Sequence, residues 1–323
     1  MASRTPLPPH LRPAFTYRAA AEAGLARRRT LASDLERPFR GVRALPLSIL
    51  ADEQQHETLR RDIRRLAHAY SLAMPPGAFF SHTTACVLRG LPVRVSQRNV
   101  EHLDVTVFHP HRHLQSRGIH GYSVKPMLAR VETMGLMRVA TAASTWAMMA
   151  SQLDFADVVA LGDATARIER MPGTQRILRV PHATMAQLER AAFAGRRTGV
   201  GLLREALPLI RTGSASRPES HLRVALVDAG LPEPQLDVDV YADNGRLLGC
   251  SEMAYPEYRV AVEYEGDHHR TKKEQWYRDI EKYHDYADAG WAVVRITRES
   301  LYSRHGRAVS LVRSALSRAG WRA

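Results

Sequence analysis

Cysteine is scarce: Cys86 and Cys250 are the only two in 323 residues, and they lie far apart. They can build neither a disulfide framework nor a Cys-x-x-Cys zinc motif, so a reduced, cytoplasmic protein is the expectation. Long apolar runs are missing too. No stretch approaches the ~20 uninterrupted apolar residues that a membrane-spanning helix needs. Arg4, Arg12 and Arg18 are followed by no apolar segment, so no secretory signal is read. Acids are in short supply, with 33 Asp and Glu against 46 Lys and Arg, for a net charge of +13. Such a surplus favours polyanionic partners, because pairing with phosphates releases condensed counterions. Nucleic acid is the expected polyanion, and the charge by itself does not choose between DNA and RNA. What remains is an ordinary globular composition, 45% hydrophobic and 24% charged, which excludes a disordered chain. The length suggests two domains. Oligomeric state is not legible.

Residues 1–40 mix Pro, Arg and Ala and read as a basic, partly ordered arm. Residues 41–210 read as a mostly helical α+β domain. A helix is predicted over 51–72, where Leu59, Ile63, Leu66 and Tyr70 recur at helical spacing beneath a solvated face of Arg60, Arg61, Arg64 and Arg65. Pro75-Pro76-Gly77 stops it. Ser81 to Leu88 reads as a second helix with Ser81 as N-cap, and Leu103 to Phe108 as a strand. The loop that follows, through about Gly121, carries His109, His111, His113 and His120 beside Arg112 and Arg117. With no Cys or acid at ligand spacing, it is a basic, solvated or phosphate-contacting loop rather than a metal site. Helices follow over 143–168, with Trp146, Met148 and Met149 as core, and over 184–210. The small, polar segment 211–218 reads as a linker.

From residue 219 to 323 the fold class is α/β, in the order helix, three-stranded meander, helix, strand, helix. Glu219 to Ala229 is amphipathic. Gln235 to Ala242 alternates, Asn244-Gly245 is a strong hairpin signal, Leu247 to Ala254 returns, and Tyr258 to Glu265 forms the third strand. Lys272 to Ala289 reads as a helix, Trp291 to Ile296 as a fourth strand, and Arg298 to Ala319 as one final helix. Glu252 falls late in the second strand. Glu263 and Glu265, two apart on the third, share a face. Glu219 could join them, and clustered carboxylates with hard oxygens suit magnesium or manganese.

The segment Ser-Glu-Met-Ala-Tyr-Pro-Glu-Tyr-Arg-Val-Ala-Val-Glu-Tyr-Glu-Gly-Asp-His-His-Arg, residues 251–270, resembles the core signature of a domain family within the PD-(D/E)XK nuclease superfamily, related to the very-short-patch mismatch-repair endonuclease. Matching positions are Glu252, Glu263, Glu265, Gly266 and His269, with Glu219, Arg278-Asp279 and Gly290-Trp291 in support. Residues 79–92 and 140–165 more weakly resemble the N-terminal part of proteins carrying this domain, a part likened to the winged-helix portion of abortive-infection antitoxins. The resemblance implies a restriction-endonuclease-like C-terminal domain that hydrolyses DNA phosphodiesters with Mg2+ or Mn2+. It implies Glu252, Glu263, Glu265 and His269 as catalytic. Metal ligands would be Glu252, Glu263 and the backbone carbonyl of Tyr264, with Glu219 acting through water. Arg270, Lys272, Lys273 and Arg278 would hold the DNA backbone.

Two departures stand out: Glu252 and Glu265 occupy positions where the family has Asp. Each extra methylene displaces a carboxylate by about one bond length, against a catalytic tolerance of ~0.5 Å. The lysine of the wider superfamily motif is also missing, leaving His269, Lys272 or Lys273 to supply its role. The alternative expectation is therefore a DNA-binding, antitoxin-like regulator that keeps a catalytically degenerate nuclease fold.

Overall fold

The computed structural model describes residues 6–46, 54–266, 273–303 and 306–322, without the side chains of 273–280. His269, Arg270 and Lys272, expected as site residues, lie outside the described residues, as do the side chains of Lys273, Arg278 and Asp279. The chain divides into two compact units. Unit 1 is Met1–Gln152 with Gln187–Val200, and unit 2 is Leu153–Ala186 with Gly201–Ala323.

Unit 1 opens with β1 (Ala14–Thr16), α1 (Tyr17–Glu22), α2 (Arg27–Thr30) and β2 (Val42–Ala44). Among the described residues, the segment expected as a partly ordered arm is packed. Leu7, Leu11, Phe15, Ala20 and Leu35 bury one another, and Val42 and Ala44 pack with Ala14 and Ala69. These apolar residues are too widely spaced among Pro and Arg to show a period. Next come α3 (Gln55–Ser71), β3 (Phe79–Phe80), α4 (His82–Leu88), α5 (Gln97–Glu101), β4 (Leu103–Phe108), β5 (Ile119–Val124), β6 (Val131–Met134), β7 (Met137–Ala140) and α6 (Ala142–Met149). The five strands form one mixed sheet in the order β5-β4-β3-β7-β6.

One expectation for this unit is corrected, and a second is borne out without its side-chain bond. Arg60 is not on a solvated face: it is buried, and its guanidinium donates to the carbonyls of Leu91 (2.8 Å) and Val93 (3.3 Å). Ser81 does sit at the N-cap of α4, but its side chain makes no cap bond and instead accepts from the Thr106 hydroxyl at 2.7 Å. Trp146, Met148 and Met149 are buried as core.

Unit 2 contains α7 (Phe155–Ala166), the hairpin β8 (Glu169–Arg170) and β9 (Ile177–Arg179), then, beyond α8 (Met185–Phe193), α9 (Val200–Ala206). It continues with α10 (Arg217–Asp228), β10 (Gln235–Tyr241), β11 (Leu247–Tyr255), β12 (Val260–Glu265), α11 (Lys273–Asp288), β13 (Ala292–Thr297), α12 (Arg298–Leu301) and α13 (Arg307–Arg318). Its sheet is mixed, with β10-β11-β12 antiparallel and β13 parallel to β12. One face of the sheet packs Met253, Val260, Val262 and Ile296 on Leu222 and Leu226 of α10 and Val312 and Leu316 of α13. The other packs Val240, Leu248 and Ala261 on Tyr286 of α11. The single final helix expected over 298–319 is two helices: α12 ends with its C-cap at Tyr302, and α13 begins after Gly306, whose backbone is left-handed with φ 59°.

The segment 211–218 does not part the units. The Arg211 amide donates to Asp163 at 2.7 Å, Ser214 is buried, and Ser216 caps α10. α7, upstream of it, packs on α10 within unit 2. The tie is a buried ion pair. Asp163 and Arg223 are each 1% exposed and 2.8 Å apart, and Arg223 also reaches Glu233 and the Leu209 carbonyl. Small polar residues can mark a linker, but here the segment supplies a backbone partner, the Arg211 amide, to an internal salt bridge.

Candidate functional site

Three carboxylates from three elements of unit 2 interact with one another. Glu219 stands in the first turn of α10, after Ser216 has capped the helix and Pro218 has set its opening φ. Its side chain bends back to accept from the Ala215 amide at 2.7 Å, and the residue is buried. Glu252 and Glu263 come from neighbouring strands. The register pairs Met253 with Val262. Carried one step further it sets Glu252 opposite Glu263 on the same face, the one away from Met253 and Val262. Beyond that pair Glu252 takes over from the backbone ladder, and its Oε2 accepts from the Tyr264 amide at 2.8 Å. Tyr264 thus presents its N–H to the cluster.

Glu263, 6% exposed, is held by the Lys282 ammonium of α11 at 3.0 Å. Glu265 goes elsewhere and is ion-paired to Arg295 of β13. Of the expected acids, then, Glu219, Glu252 and Glu263 are brought together, and Glu265 is committed to Arg295.

Two neighbours carry no motif. Lys282 is the first; its signal is spacing, since it stands four residues before the fully buried Tyr286 and therefore shares the inward face of α11. Asp237 is the second. The same register that pairs Leu236 with Met253 and Val238 with Ser251 places it across from Glu252. Its backbone is left-handed, with φ 54°. Arg170 of β8 engages both Asp237 (2.8 Å) and Asp239 (2.6 Å).

Burial and mutual repulsion set the protonation of the cluster. The Glu252 carboxyl is pushed up to about 8, first by burial and then by the charges of Glu219 and Glu263, with the Tyr264 amide and Lys282 opposing. Glu219 is also raised, mainly by burial, with Glu263 adding to the rise and its hydrogen bonds and Arg167 working against it.

The sign of the stability effect follows. Between the unfolded value near 4.5 and about 8, folded Glu252 holds a proton that the unfolded chain has lost, so its contribution is full below 4.5 and declines as pH rises to about 8. Glu252→Gln keeps an oxygen for the Tyr264 amide and removes the titration. In EDTA it is expected to melt higher than wild type at pH 8, by on the order of 3 kcal/mol, and to lose that advantage at pH 4.5. A difference in melting temperature that is the same at both pH values would contradict this account of the cluster.

Among the described residues, no group of three or more His, Cys, Asp or Glu side chains is disposed, as it stands, to hold a metal ion. Glu263 is turned to Lys282, Glu252 to the Tyr264 amide, and Glu219 to the Ala215 amide. The chemistry of the set does fit a hard divalent cation: all three side chains are oxygen donors, they repel one another, and Lys282 supplies the only cation hydrogen-bonded to them among the described residues. No described helix is long and apolar enough to cross a membrane.

Comparisons with known proteins add little chemistry. No protein-family model matches the chain, and no solved structure matches it. Two uncharacterized proteins, from two strains of Mycobacterium tuberculosis, are each 28% identical to it over 143 residues, covering 44% of this chain and 52% of theirs. The chain therefore spans about half the length of the curated relatives it matches.

Proposed function

We propose that unit 2 is a restriction-endonuclease-like, metal-dependent nuclease domain that nicks or cuts DNA by hydrolysing phosphodiester bonds. The observation that carries this reading is the convergence of Glu219, Glu252 and Glu263 from α10, β11 and β12, with Lys282 of α11 against them. In this reading Glu252 and Glu263 would hold Mg2+ or Mn2+, with Glu219 acting through water, and the ion would supply Lewis-acid stabilisation of charge on a phosphodiester. Without the metal, Lys282 pairs with Glu263 and holds its side chain inward. Once released from that pair, its ammonium remains beside the site as a donor for a phosphate oxygen. The surplus of 13 positive charges suits a polyanionic substrate.

The test is a plasmid-nicking assay on the full chain with Mg2+, Mn2+ or EDTA. Relaxed plasmid with either metal and none in EDTA supports the reading; supercoiled plasmid surviving all metals sinks it. A second reading, a DNA-binding regulator with a non-cleaving nuclease fold, is favoured by the Glu263–Lys282 pair occupying the place a cation would take. It requires DNA retention in EDTA with no cleavage under any metal. Competition of duplex DNA against RNA decides the substrate.

A further inference from the structure

From Val105 to Val131 the chain has no acidic residue, while it carries His109, His111, Arg112, His113, Arg117, His120, Lys125 and Arg130. In unit 1 most of these bases fall on the crossover between β4 and β5, and that crossover is held down rather than loose. A Cβ at Gly121 would collide with the Leu114 main chain, so the loop backbone rests directly on β5 where only glycine leaves room. The Leu114 side chain packs on the unit's main core. The Ser123 hydroxyl donates to the His111 carbonyl at 2.9 Å, and the His109 amide donates to the Val124 carbonyl at 2.9 Å. Meanwhile His109, His111, Arg112, His113 and Arg117 are all exposed.

His120, beside this loop on β5, is a positioned group. Its side chain is 50% exposed, and Nδ1 faces the Asp104 carboxylate at 3.4 Å and the Tyr122 hydroxyl at 3.1 Å. Asp104 is 4% exposed and is further fixed by the Thr84 amide (3.4 Å) and by Tyr122, which donates to it at 3.2 Å. The Gln152 amide donates to the Tyr122 oxygen at 2.9 Å. With Nδ1 held inward, the opposite nitrogen, Nε2, is on the exposed edge of the ring. The Tyr122 ring is itself stacked on His82, centroids 3.8 Å apart and planes 23° from parallel. It offers no free platform for a base.

We propose that the 109–117 loop and His120 form a contact face of unit 1 for the phosphate backbone of duplex DNA. Cationic and hydrogen-bond donors are concentrated there on a rigid backbone, which is what phosphate contacts need. The loop has no Phe, Tyr or Trp, and the Tyr122 ring is already engaged by the His82 and His120 rings, whereas single strands are typically gripped by stacking their bases on large aromatic rings. This face goes beyond the nuclease reading and does not depend on the carboxylates of unit 2.

The test is fluorescence anisotropy of the full chain with a labelled duplex, in EDTA and over a range of salt, so that binding is read without cleavage. The triple variant Arg112→Ala, His113→Ala, Arg117→Ala is expected to bind roughly tenfold or more weakly at low salt. Its log–log salt slope should flatten by about 2, from ~0.9 per phosphate contact for each arginine lost. His120→Gln is expected to weaken binding several-fold with an unchanged melting temperature. The paired variant Arg307→Ala, Arg318→Ala, exposed on α13, controls for bulk charge and is expected to bind like wild type. Wild-type affinity and slope in the triple variant overturn the proposal. So does an equal loss in the α13 control, or a wild type that prefers RNA or single strands to duplex DNA.

Discussion

Glu263→Ala is expected to lose at least about 100-fold in nicking rate, since residues that merely support a metal ligand are worth roughly 10–100-fold and Glu263 is proposed as a ligand itself. It is 6% exposed, has Lys282 at 3.0 Å, and its charge helps push up the carboxyls of both Glu252 and Glu219. Truncation would remove one donor from the proposed cation site and leave the Lys282 ammonium without its carboxylate. Calorimetry with Mn2+ should show binding to wild type and none to the variant. The melting temperature in EDTA tells whether the fold has survived. Glu265→Ala provides the contrast: that carboxylate is paired to Arg295, and its loss is expected to cost far less than the loss of Glu263. Nicking retained in Glu263→Ala, or equal losses from the two variants, would remove Glu263 from the catalytic role.

The largest effect on stability is expected at a different place, the Asp163–Arg223 pair that joins α7 to α10. Both side chains are 1% exposed, and Asp163 additionally accepts from the Arg211 amide at 2.7 Å. Asp163→Ala strands a buried guanidinium and a partly buried amide, a change that costs about 3–5 kcal/mol. In a domain of this size each kcal/mol moves the midpoint by about 2–4 °C, so a fall of roughly 10 °C is expected in a thermal melt. The remaining Glu233 contact, 3.1 Å from Arg223, holds the loss toward the lower end. The double variant Asp163→Leu, Arg223→Met exchanges the pair for apolar volume and is expected to recover most of the loss. If Asp163→Ala melts within ~1 °C of wild type, α7 does not depend on α10 in the way the structure implies.

Much of unit 2 is legible in the order of its residues. Alternation over Gln235–Tyr241, the Asn244-Gly245 turn and the two-residue spacing of Glu263 and Glu265 are local properties, and local periodicity dictates which element forms and which face a residue takes. Unit 1 is harder to read. The β5 strand, Ile119–Val124, carries a glycine and only one buried residue, so it shows no alternation, and its place in the sheet comes from pairing with β4. The same limit applies at residue 211, where a small, polar stretch has the composition of a linker although Asp163, 48 residues upstream, holds its backbone.

For the candidate site, the sequence by itself determined that Glu252, Glu263 and Glu265 would lie on adjoining strands, because the residue-by-residue period of a strand assigns their faces. The tertiary structure alone decided which of them meet. Glu263 received Lys282 from α11, Glu265 received Arg295 from β13, and Glu219 came in from α10 to raise the Glu252 carboxyl. Each of these partners is distant in sequence, and the pairing depends on how helices pack on the sheet and which rotamer that packing allows, a property of contacts between elements that no single segment encodes.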